Sequence, residues 1–119
     1  MNVDSLTQMF QQLYRHFNER KIDSVISHMT HDVKWANGMD GGYVYGHDGV
    51  REYWTRQFSM VSSQVTPLKI DVQQDEVTIK VRQVVHNLQH ELLADEVVYH
   101  FFHIQDNRIA AFDIGGKMK

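Results

Sequence analysis

Glu96 and His100 are the pair in this chain whose types and spacing suit acid–base chemistry. They lie four residues apart in a segment of alternating character, so in an extended strand they project from one face, roughly 13 Å apart. They cannot hydrogen-bond to each other at that distance, but one ligand could touch both. In an apolar cavity desolvation raises the pKa of a Glu and lowers that of a His, which leaves a neutral acid and a neutral base near pH 7. Enzymes that move protons without a cofactor favour such a pair. The plainer reading is that Glu96 meets Gln83 across a sheet and His100 donates to a backbone carbonyl. Asn37 stands in the Gly-rich bend of the run Thr30–Trp54 and is a ligand contact, since its amide both donates and accepts. Asp40, followed by two glycines, reads as turn chemistry, a role open to Asn37 as well. Trp35, Trp54 and Phe112, with Tyr14, Phe17 and Gln83, complete the candidate ligand contacts. Tyr43, Tyr45, Phe58 and Phe102 belong to the same aromatic set, and any of these rings could equally be core.

Other chemistries find little support. The chain has no cysteine, which excludes disulfides, thiolate nucleophiles and zinc–thiolate sites. Eight histidines are scattered rather than gathered. His28 and His31 have no obvious third ligand, and His100 and His103 face opposite ways on a strand, so no metal and no cofactor is expected. A net charge of -3 offers no basic face for nucleic acid. No apolar run approaches the ~20 residues that span a bilayer. The N-terminus lacks a basic stretch followed by an apolar one, so no secretory leader is read and the cytoplasm is the default compartment. Neither a phosphate-binding glycine loop nor a serine-nucleophile elbow is present. Arg51 and Arg56 read as solvated or paired side chains.

The elements that would hold the site follow from periodicity. Val3, Leu6, Phe10, Leu13 and Phe17 recur at steps of three and four, an amphipathic helix from about Asp4 to Asn18. Ile22, Val25, Ile26 and Met29 continue the pattern over a shorter helix. Asp32–Ala36 reads as a strand, Gly41–Gly42 as a turn into Tyr43–Tyr45, and Gly46 precedes a third helix faced by Val50, Trp54, Phe58 and Val61. From Gln64 the period changes to two. Leu68, Ile70 and Val72 mark one strand, which Pro67 starts, and Val77, Ile79 and Val81 the next. A long strand covers about Glu91 to Ile104, and a turn at Asp106–Asn107 leads to Arg108–Gly115. The 119 residues form one domain of α+β class, with helices in front and a long, mixed or antiparallel sheet curling around them as a cone.

A hairpin turn near Gln89 sets Val85 against Ala94, Gln83 against Glu96, Val81 against Val98 and Ile79 against His100, all on one face. Lys80, Arg82, His86, Asp95, Val97, Tyr99 and Phe101 take the other. Asp113 has the parity that points away from the cavity.

The segments FNERKIDSVI, THDVKW and YGHDGVREYW, in this order and spacing, resemble the nuclear-transport-factor-2-like superfamily, more narrowly its SnoaL-like and ketosteroid-isomerase-like branch. The resemblance spans almost the whole chain and implies a cone-shaped α+β barrel, with the His100 face turned inward and Trp54 and Phe112 at pocket positions. The branch's general base falls on Asn37, its oxyanion-hole acid on His100 and its oxyanion-hole tyrosine on Leu13, with Tyr14 one step off the needed face. An amide cannot abstract a proton, so the steroid isomerase mechanism is not expected here. The family implies a homodimer through the outer sheet face, where Tyr99 and Phe101 would otherwise be exposed. The resulting expectation is a pocket for a small apolar compound, polyketide-, steroid- or terpenoid-like. Any catalysis would be cofactor-free isomerisation, cyclisation or dehydration by His100 and Glu96, with Asn37 polarising the substrate. The alternative is a non-catalytic binding or interaction domain whose cavity is filled by its own aromatics.

Overall fold

The computed structural model of the protein describes residues 2–115. Helix α1 (Val3–Asn18) buries Leu6, Met9, Phe10, Leu13 and Tyr14 along one stripe. It opens on an Asn2 cap, whose side-chain oxygen accepts from the Ser5 N–H at 2.8 Å. Helix α2 is shorter than the periodicity suggests. It spans Ile22–Ile26, and Met29 instead opens strand β1 (Met29–Ala36). A buried Met at that spacing suits either state, and the pairing of Met29 with Ile109 selects the strand. Strand β2 (Tyr43–Tyr45) follows the bend, and α3 (Gly46–Phe58) follows it directly. Val61 does not belong to α3; it begins strand β3 (Val61–Gln73). Strands β4 (Glu76–Asn87), β5 (Leu92–Gln105) and β6 (Arg108–Gly115) complete the chain.

The six strands form one open, curved sheet in the order β2-β1-β6-β5-β4-β3. Among the described residues only the β1–β6 pairing is parallel. Pro67 lies inside β3 rather than at its start. That position is tolerated because β3 is an edge strand and its register to β4 shifts between Pro67 and Lys69. Leu68 falls in the shift and is half exposed, so it leaves the alternation that Ile70 and Val72 keep.

The central hairpin has the expected pairing: Ile79 opposite His100, Val81 opposite Val98, Gln83 opposite Glu96, Val85 opposite Ala94. Burial then identifies the inner face. Val77, Ile79, Val81, Val98, His100 and Phe102 are buried, while Arg82 and Asp95 are exposed and bond to each other outside. A slip of one residue would have reversed every one of these side chains. The helices close over the inner face, and α1, α3 and the sheet share one apolar core.

Candidate functional site

A cavity opens between the helices and the inner sheet face. Its walls come from α1 (Leu13, Tyr14, Phe17), α2 (Val25), β1 (Trp35, Ala36), α3 (Tyr53, Trp54, Gln57), β3 (Ser63, Val65), β4 (Gln83), β5 (His100, Phe102) and β6 (Phe112, Ile114). It leaves about 80 Å³ for the centres of water-sized atoms, room for roughly five to eight waters. In liquid terms that is on the order of 150–250 Å³, the volume of a molecule of roughly ten heavy atoms.

Aromatic rings set its shape. Trp35 stacks on Phe112 with centroids 4.2 Å apart and meets Trp54 edge-on at 5.3 Å. Phe17 packs edge-on against Trp54, also at 5.3 Å. Phe112 turns its plane nearly perpendicular to the His100 ring at 4.9 Å. Such tilted and edge contacts align ring edges with ring faces and hold the walls in place.

The polar centre is a contact between α1 and β5. The Tyr14 hydroxyl lies 2.6 Å from His100 Nδ1, and both side chains are buried. Burial lowers the His100 pKa from 6.5 to about 4 and holds the Tyr14 phenol well above its usual 10. Both groups are therefore neutral across the physiological range. With Nδ1 engaged, Nε2 is the ring nitrogen left for a ligand. The remaining polar walls are Ser63, Gln57, Gln83 and Tyr53, and among the described residues no carboxylate, lysine or arginine lines the cavity.

The cavity thus brings together Tyr14, Phe17, Trp35, Trp54, Gln83, His100 and Phe112. It does not bring in Glu96 or Asn37. Glu96 sits opposite Gln83, half-buried, and is not one of the lining residues. Asn37 also lies outside the lining. Its Oδ1 accepts from the Met39 and Asp40 N–H groups at 3.0 and 2.9 Å, so the bend itself engages its acceptor. The same bend is closed by Gly41 and Gly42 at positive φ and anchored by the Gly38 N–H donating to the Tyr53 hydroxyl at 3.0 Å. Asp40 pairs with Arg56, and Arg51 with Asp23 and Asp48. Asp113 faces outward and accepts from Tyr43. Among the described residues no cluster of His, Asp or Glu could hold a metal.

Tyr14 lines the cavity as the candidate contact it was, although the resemblance set it one step off the required face. Phe10, Tyr14 and Phe17 are spaced by four and three, which is itself a helical stripe, and that spacing was the available signal. Tyr53, Gln57, Ser63 and Ile114 were also missed as lining residues. For Ser63 the signal was its parity with Val65, the next inward position of β3.

The model of the family described as SnoaL-like domain matches residues 10–112. No curated protein sequence matches the chain. Among solved structures, an NTF2-like protein of unknown function from Burkholderia pseudomallei K96243 superposes with a TM-score of 0.82 at 19% identity, covering 91% of this chain and 87% of that one. TerC, co-crystallised with polyporic acid, gives 0.80 at 22% identity over 92% and 88%. SalBIII, an epoxide hydrolase/cyclase-like enzyme of pyran ring formation in the polyether salinomycin, gives 0.81 at 14% identity over 97% and 92%. At these identities the likeness is one of fold.

Proposed function

The chain belongs to the SnoaL-like domain family, and from that premise we propose that it binds a small, uncharged, largely apolar ring compound and acts on it by cofactor-free acid–base chemistry. The observation that carries this reading is the Tyr14–His100 pair, a neutral donor and acceptor 2.6 Å apart in an aromatic cavity lined, among the described residues, by no charged side chain. A desolvated ion would find no counter-charge there, whereas a carbonyl or hydroxyl would find His100, Tyr14, Ser63 and Gln83. The reaction class is isomerisation, cyclisation or dehydration. TerC with its polyporic acid and the cyclase-like SalBIII support a ring-compound pocket in this fold. The cavity volume favours one or two rings over a four-ring steroid.

Trp35 and Trp54 both line the cavity, so ligand entry should change tryptophan fluorescence. Titration with uncharged bicyclic ketones and with carboxylates of the same size tests the reading. Saturable quenching by the ketones alone is the expected result; no quenching by any of them refutes it. The second reading, binding without turnover, draws on the same small cavity and predicts quenching with no chemical change.

We also propose a homodimer through the outer sheet face. Phe101 is 40% exposed there beside Tyr99. Sedimentation of the protein and of Phe101→Lys tests it: a monomer in both cases removes the proposal.

A further inference from the structure

We propose that Tyr14 is a second proton-transfer residue, and that it forms with His100 a net-neutral relay acting on an uncharged substrate whose reacting C–H lies next to a carbonyl. The proposal rests on the acid–base reading of the cavity given above and goes beyond it by naming the proton path. Tyr14 and His100 touch through the hydroxyl and Nδ1 at 2.6 Å, and both line the same cavity. A lone His100 base would create a buried imidazolium beside an enolate, and among the described residues none that lines the cavity carries a charge to compensate either ion.

The hydrogen bond between the two side chains can run in either direction. In one tautomer the Tyr14 O–H donates to Nδ1, and Nε2 carries a hydrogen toward the cavity. In the other, Nδ1–H donates to the Tyr14 oxygen, the phenolic hydrogen turns to the cavity, and Nε2 offers its lone pair. From the second tautomer, Nε2 takes the proton from the carbon next to the carbonyl. The C–H electrons become the enol double bond, the carbonyl oxygen takes the phenolic proton of Tyr14, and Nδ1–H passes its proton to the Tyr14 oxygen. The products are a neutral enol and the first tautomer. The reverse sequence returns the Nε2 proton to the same carbon, or to the far carbon of a conjugated enol, which shifts a double bond. Every step conserves protons, and no ion is formed.

The path gives a cavity with no carboxylate among its described lining residues a way to enolise a ketone, and it requires both side chains. It also predicts an unusual pH profile. An ordinary imidazole base gains activity as pH rises through about 6–7, whereas both groups here stay neutral from well above pH 4 up to the alkaline range.

The test uses α-tetralone, a ketone of the size the cavity admits, with exchange of its C2 hydrogens in D₂O followed by NMR. Exchange above the protein-free rate, level from about pH 5.5 to about 9, supports the relay. Loss of exchange on the order of 100-fold or more in both Tyr14→Phe and His100→Gln, measured at tetralone concentrations that saturate the tryptophan quenching of each variant, supports it further. A rate in the unmodified protein that climbs through about pH 6–7 overturns the relay even if neither variant folds. So does full exchange in Tyr14→Phe. Quenching by tetralone without exchange overturns the relay alone and leaves the binding reading standing. Neither quenching nor exchange overturns both.

Discussion

Mild acid should weaken this fold through His100. The unfolded chain takes up its imidazole proton near pH 6.5, while in the folded protein burial holds the same ring neutral until about pH 4. Between those values the unfolded state binds more protons, so stability falls as pH falls. At 1.36 kcal/mol per pH unit the full effect is roughly 3.4 kcal/mol, complete only below about pH 4, with about 2 kcal/mol of it lost between pH 7 and pH 5. For a domain whose total stability is ~5–15 kcal/mol, that is a large fraction. His100→Gln isolates the effect, because the amide still offers Tyr14 an acceptor but does not titrate. Urea unfolding of both proteins at pH 7, 6, 5 and 4 measures it. The stability difference between wild type and variant should shift by about 2 kcal/mol against the wild type from pH 7 to pH 5. Parallel curves across that range would refute the argument, since they would mean that His100 protonates in the folded state as readily as in the unfolded one.

At the opposite end of the scale Tyr14 should act in the same way. Its folded pKa is raised by burial, so stability present below pH 10 is lost as pH rises beyond it, and Tyr14→Phe should flatten alkaline unfolding curves. At neutral pH the same variant leaves Nδ1 without its hydrogen-bond partner and should cost about 1–3 kcal/mol by urea denaturation. Asn37→Ala removes the acceptor for two bend N–H groups and should cost about 1 kcal/mol while changing tetralone affinity less than about threefold. A large affinity loss with unchanged stability would instead make Asn37 a ligand contact. Trp35→Ala removes a buried ring stacked on Phe112 and edge-on to Trp54, and thermal or urea unfolding should register a loss of about 3–5 kcal/mol.

The framework of the site was legible in the sequence because it depends on periods that side chains alone reveal. Alternation in Val77, Ile79 and Val81, continued by Val98, His100 and Phe102, fixed which residues share a face. Helix and strand ends were less legible where one residue suits two states. Met29 continues the helical spacing of Ile22, Val25 and Ile26, yet its backbone is claimed by Ile109 from the far end of the chain, a partner no local pattern announces. Val61 and Pro67 were misplaced for the same reason: the pairing of β3 with β4 sets where β3 begins and where it bulges.

Side-chain reach separates the residues that became the site from those that did not. Glu96 and His100 share a face, and parity alone weights them equally, but His100 lines the cavity and is met there by Tyr14 from α1, whereas Glu96 is not among the lining residues. The decisive partner lies 86 residues away in sequence. Asn37 shows the converse. Its chemistry is suited to a ligand, yet the Gly-rich bend needs an acceptor for its own N–H groups and is closer. Desolvation then turns position into chemistry. The same burial that keeps His100 and Tyr14 uncharged makes a charged intermediate costly, which is the physical ground for proposing a reaction that moves protons without separating charge.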